Sequence, residues 1–181
     1  MKKLLLFLCL SFVTFGYSQE ENQINFPKNE IKGNALFLVA GALEVTYEKL
    51  LNEESGLGVS LFVSYDENIN TKFSLTPYYR FYFGKKPAAG FFVEGFGMLN
   101  SYTQETYYYA YEDFPPYNTL ETVIKDNTTD FALGFGIGSK WVTKKGFLFE
   151  INGGMGRNLF NSSETDYEIV GRGGITLGYR F

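Results

Sequence analysis

The 181-residue chain has no histidine, one cysteine (Cys9) and one tryptophan (Trp141). Without histidine there is no Ser-His-Asp or Cys-His pair, and the usual general acid–base group and commonest metal ligand are missing. Cys9 lies inside an apolar N-terminal run and follows Leu8, so the exported chain carries no disulfide and no thiol chemistry. Small secreted soluble domains usually depend on disulfides. Beyond the N-terminus the longest apolar run is Ala35 to Leu43, nine residues, against the ~20 a spanning helix needs. Any crossing of a membrane must therefore be made by strands. The formal net charge is −4 and falls to about −6 once Lys2 and Lys3 are removed, which gives no basic patch for nucleic acid.

The N-terminus has the layout of a secretory signal peptide: Met1-Lys2-Lys3, an apolar stretch from Leu4 to Phe15, then Gly16 and Ser18 before the Ser18–Gln19 bond. Residues 1–18 are thus expected to be cleaved on export, 19–30 to form a polar lead, and 31–181 to be one domain. Aromatic residues make up 19% of the chain, with 14 Tyr and 19 Phe. That composition suits an apolar band bounded by interfacial girdles.

The last ten residues alternate strictly. Ile175, Leu177, Tyr179 and Phe181 are apolar, while Arg172, Gly174, Thr176, Gly178 and Arg180 are small, polar or charged. Period-two alternation means a strand with one greasy and one wet face. Seven further segments behave similarly: Ile31–Val39, Leu43–Leu51, Leu57–Tyr65, Lys72–Phe83, Gly90–Tyr102, Asp130–Val142 and Phe147–Leu159. The first alternates poorly, and its division from the second by a tight turn at Ala40-Gly41-Ala42 is its weakest feature. Pro77 cannot donate to a ladder, so a bulge or irregular pair is expected there. The fold class is all-β, a transmembrane antiparallel up-and-down β-barrel of eight strands, each near the ~9–11 residues a tilted spanning strand requires.

An even strand count places both termini on one side, taken as the periplasm. Residues 52–55, 84–87 and 143–146 are then short periplasmic turns, while 66–71, 103–129 and 160–166 are outer connections, with 40–42 an unusually tight exception. This asymmetry is typical of outer-membrane barrels.

The parity places Glu44, Glu48, Glu94, Asp130 and Glu150 inside against Lys72, Arg80, Lys140, Arg172 and Arg180, among glycines such as Gly134, Gly136 and Gly138. Buried charges require partners, and an eight-stranded barrel is about wide enough for its own side chains. The expectation is an ion-paired plug; a narrow pore for ions or small solutes is the alternative. Gly134 to Lys140 has the look of a phosphate-binding loop, but Phe135 and Ile137 continue a strand and no strand-to-helix turn exists. No cofactor is expected. A lipid-modifying membrane enzyme remains a second alternative, with no residue spacing to single out a catalytic pair. The long connection holds Tyr107, Tyr108, Tyr109, Tyr111, Pro115 and Pro116 among acidic residues without a recognisable calcium-loop spacing. It is either a contact surface for an unknown extracellular partner or an extension of strands five and six as a hairpin; the two can coexist.

The terminal arrangement of Arg172, Gly174, Leu177, Tyr179 and Phe181 resembles the C-terminal assembly signal of bacterial outer-membrane barrels. The chain from Ile31 to Phe181 resembles the small families typified by the OmpA transmembrane domain and OmpX. Stretches such as Thr76 to Phe83 and Gly174 to Phe181 are also similar to an uncharacterised group of such barrels. The resemblance implies an outer-membrane location, a lipid bilayer and the barrel-assembly machinery as partners, and no assigned activity.

Overall fold

A computed structural model of the protein describes residues 26–111, 119–160 and 168–181, of which 105–111 and 119–125 are described by their backbone. The signal-peptide segment and Pro115-Pro116 lie outside the described residues. Eight strands run in chain order: β1 Asn29–Asn34, β2 Ala42–Leu50, β3 Ser55–Ser64, β4 Thr71–Tyr82, β5 Gly90–Tyr111, β6 Thr119–Val142, β7 Phe147–Asn158 and β8 Ile169–Arg180. Each pairs antiparallel with the next, and β1 pairs with β8 from Glu30↔Arg180 to Asn34↔Thr176, closing the barrel. No helix among the described residues is long and apolar enough to cross a membrane.

Because side chains alternate across a strand, the register sorts the whole chain into two faces. The outer wall exposes Leu57, Leu61, Phe81, Phe135, Ile137, Ile151 and Leu177, each near half exposed or more. Glu30, Lys32, Glu48, Arg80, Lys140 and Glu150 are at most 2% exposed. A water-soluble protein places these classes the other way round.

The expected first strand, Ile31–Val39, is corrected. β1 stops at Asn34, and Ala35–Ala40 forms a short helix, α1. The Asn34 side-chain oxygen accepts from the Leu36 and Phe37 N–H groups, and Gly41, at φ 101°, closes the other end by donating to the Phe37 carbonyl. An N-cap asparagine and a left-handed C-terminal glycine are the standard helix stops. The expected turn at 40–42 is therefore a helix cap.

Pro77 pairs in register with Val59 of β3, but the β4–β5 ladder lapses between Leu75↔Leu99 and Tyr78↔Phe96 without a shift. The bulge lies elsewhere, between Thr71 and Phe73. An extra residue there re-aims Lys72, whose Nζ donates to the Glu67 and Ile69 carbonyls instead of joining the interior charges.

Strands five and six run well past their expected ends. β5 and β6 pair residue by residue from Gly90↔Lys140 out to Tyr111↔Thr119. β4 pairs with β5 no further than Tyr102, and β7 with β6 no further than Ala132. Of the two readings of the outer connection, the hairpin extension of strands five and six is the one observed: it is a two-stranded ribbon paired with itself. Replacing residues 106–126 by a short Gly/Ser turn should therefore leave the barrel's unfolding midpoint unchanged, since no ladder of the wall is cut and loop length costs little entropy. A variant that no longer showed heat-modifiable gel mobility would mean that the hairpin helps to build the wall.

Candidate functional site in the barrel lumen

The inner face gathers its charges around Glu48 of β2. One carboxylate oxygen, Oε2, accepts from Lys32 Nζ at 2.5 Å, Tyr78 OH at 3.0 Å and Arg80 Nη1 at 3.2 Å. The other, Oε1, accepts from the Tyr82 hydroxyl and lies 3.4 Å from Lys140 Nζ. Arg80 reaches on to Glu94 through Nε at 2.6 Å and to Glu150 through Nη1 at 2.8 Å. Lys32 also binds Glu150, at 3.1 Å. Lys140 donates to Glu30 at 2.7 Å and to the Tyr82 hydroxyl.

Register explains some of these pairs and not others. Arg80↔Glu94 and Glu30↔Arg180 are direct cross-strand neighbours and bond each other. Lys140 and Glu150 are neighbours too, yet each bonds across the lumen instead. Glu30 and Glu48 also stand opposite one another, a like-charge pair that Lys32 and Lys140 bridge. The network therefore ties strands that share no ladder.

Large rings fill the space between the charges. The Arg80 guanidinium carbon lies 4.1 Å from the Phe92 ring centre and 4.4 Å from that of Tyr78, and Arg172 lies 4.5 Å from Tyr78. These are cation–π distances. The rings fit because the residue paired with each on the neighbouring strand is glycine: a Cβ on Gly58 would strike Tyr78, one on Gly134 Phe96, and one on Gly138 Phe92. The small inner residues thus make room for aromatic rings as well as for long charged side chains.

Towards the short turns the lumen narrows on a cluster of Leu50, Tyr82, Ala88 and Phe92, with Phe26 packed against it. The β4–β5 turn tucks into this end, where Arg180 donates to the Pro87 and Ala88 carbonyls at 2.8 and 2.7 Å. Towards the hairpin a cavity of about 230 Å³ opens between Phe37, Glu44, Phe62, Met98, Asn100 and Arg172. Arg172 ion-pairs with Glu94 at 3.2 Å and donates to Ser60 Oγ at 2.9 Å. Its Nε and the Asn100 Oδ1 have no hydrogen-bond partner among the described residues.

Glu48, Arg80, Glu94, Lys140, Glu150, Arg172 and Arg180 thus come together inside the lumen. Glu44 stands nearer the hairpin end and accepts from Asn34 at 2.7 Å. Asp130 is buried, and its carboxylate accepts from the Phe131 and Phe160 N–H groups. Sequence reasoning missed Glu30 and Lys32, together with the polar handles of Tyr78 and Tyr82. The signal was present: Glu30-Ile31-Lys32 alternates in the same sense as the terminal strand.

Of the terminal pattern, Leu177, Tyr179 and Phe181 point outward, half exposed, while Arg172 points inward. A Cβ on Gly174 would collide with Asn34, the cap of α1. Tyr107, Tyr108, Tyr109 and Tyr111 lie in the β5 extension opposite Val123, Thr122, Glu121 and Thr119. No group of Asp, Glu, His or Cys among the described residues is arranged to hold a metal ion.

No family model matches the sequence, and no curated protein matches it. Among solved structures, the chain is similar to the crystal structure of the N-terminal β-barrel domain of Pseudomonas aeruginosa OprF, with a TM-score of 0.56 and 15% identity. The match covers 85% of this chain and 96% of that domain. The shared feature is the fold.

Proposed function

We propose that this chain is a non-enzymatic integral outer-membrane barrel with a plugged polar interior, serving a structural or surface-contact role through its β5–β6 hairpin. The observation that carries the reading is the inverted distribution of side chains. Leu57, Phe135 and Leu177 are exposed, while Glu48, Arg80, Lys140 and Glu150 are sealed from solvent. A lipid bilayer is the solvent in which such a wall is stable. Export through the N-terminal signal and insertion guided by the Tyr179–Phe181 terminus belong to the same proposal, as do termini on the periplasmic side.

The ion pairs support a plug over a pore, because ions crossing the lumen would have to part Glu48 from Arg80, Lys32 and Lys140. Planar-bilayer recording on the purified, refolded protein tests this. The expected result is no stepwise conductance from the wild type. Regular single-channel steps from heat-modifiable, folded protein would replace the plug by a narrow pore.

A further inference from the structure

The two ends of the barrel carry opposite charge. Around the short turns lie Lys28, Lys49, Lys85, Lys86, Lys144 and Lys145, with Glu53 and Glu54 as the acidic exceptions. The hairpin end carries Asp66, Glu67, Glu105, Glu121, Asp126 and Glu168 against Lys72, Lys125 and Arg157. Lys85 and Lys86 sit in the β4–β5 turn and Lys144 and Lys145 in the β6–β7 turn; all four are exposed. Strands β5 and β6 are neighbours in the wall, so these two turns are neighbours as well.

Beside them the outer wall is hollowed into an apolar groove of about 1090 Å³. Trp141, Phe147, Phe149 and Tyr179 line it together with Lys85 and Lys86. Trp141 and Phe149 lie 5.5 Å apart with their rings tilted, and Phe147 meets Tyr179 edge to face at 5.5 Å. An aromatic trough capped by ammonium groups matches one kind of molecule: an amphiphile with an acyl chain and an anionic head.

We propose that this groove is a binding site for an anionic phospholipid, with the chain lying along Trp141 and Phe149 and the phosphate held by the lysines of the two turns. The proposal rests on the membrane reading above and adds a lipid preference to it. One ammonium held against an anionic membrane surface is worth about fivefold in affinity. The preference weakens with salt because the lysines are exposed.

Trp141, the chain's single tryptophan, makes the test direct. The folded protein is reconstituted in phosphatidylcholine vesicles doped with brominated phosphatidylglycerol or brominated phosphatidylcholine, and quenching of Trp141 emission is read. Half-quenching is expected at about a fivefold lower mole fraction of the anionic lipid. In the combined variant Lys85→Gln, Lys86→Gln, Lys144→Gln and Lys145→Gln, folded by gel mobility, the two lipids should quench alike. Equal quenching in the wild type would overturn the site while leaving the barrel in the membrane. A preference surviving in the quadruple variant would overturn the role of the lysines. Quenching by neither lipid would remove Trp141 from the bilayer, and the membrane reading with it.

Discussion

Glu48→Leu is expected to lower the barrel's unfolding free energy by about 3–5 kcal/mol, the usual cost of leaving buried charges without their partner. The size follows from position. Glu48 is fully buried and receives Lys32, Arg80, Tyr78 and Tyr82, with Lys140 at 3.4 Å. Leucine fills similar space but removes the carboxylate that three cations share, leaving Lys32, Arg80 and Lys140 only Glu30, Glu94 and Glu150. Glu48→Gln should cost less, because its amide oxygen still accepts from one of the two tyrosines and its amide nitrogen can donate to the other hydroxyl. Pairing Glu48→Leu with Lys140→Met should recover part of the loss, as expected for groups in one network. Urea titration in phospholipid vesicles, followed by Trp141 emission, provides the measurement. A Glu48→Leu protein within about 0.5 kcal/mol of wild type would mean that water solvates these charges and that the lumen is not plugged.

One position along from Glu150, Ile151→Lys is expected to cost about 2–4 kcal/mol in a bilayer, if Ile151 lies near its midplane. Ile151 points away from the lumen, is 46% exposed, and pairs with Ile175 of β8. The same substitution at Glu54, exposed in the β2–β3 turn, should be nearly neutral. The contrast separates a lipid-facing position from a merely exposed one. If Ile151→Lys unfolded at the wild-type urea midpoint in vesicles, the outer wall would not be in contact with lipid.

The alternation makes most of this legible in the sequence alone. Arg80, Glu94, Asp130, Lys140, Glu150, Arg172 and Arg180 of β4 to β8 all point inward as the period requires, because a one-residue slip would put every one of them on the outer wall. Two places resisted for different reasons. Ala35 to Ala40 is apolar throughout, so no period distinguishes strand from helix, and the deciding information sits in Asn34 and Gly41 at its ends. Misreading that helix hid the Glu30-Ile31-Lys32 alternation just before it, and with it two members of the ion network. For Thr103 to Tyr111 the sequence leaves loop and hairpin open, because the segment lacks an apolar face. A ladder standing clear of the wall needs none, and its Thr and Tyr residues are good strand formers. The bulge at Lys72 left no mark in the local sequence; it is a property of how β4 meets β5.

The seam between β1 and β8 has a kinetic meaning. Glu30 and Arg180 are 150 positions apart in the chain, Lys32 and Glu150 118, Lys140 and Glu30 110. Contacts of such separation form late, because the intervening chain must first be gathered in. Until the terminal strand arrives, Glu30 lacks Arg180, and the edge of β1 carries unpaired backbone groups that lipid cannot satisfy. Closing the circle meets both needs in a single event. A chain stalled before β8 therefore stays an open, charged sheet with no stable place in a hydrocarbon layer, and the lumen acts as a completeness check on the polypeptide that builds it.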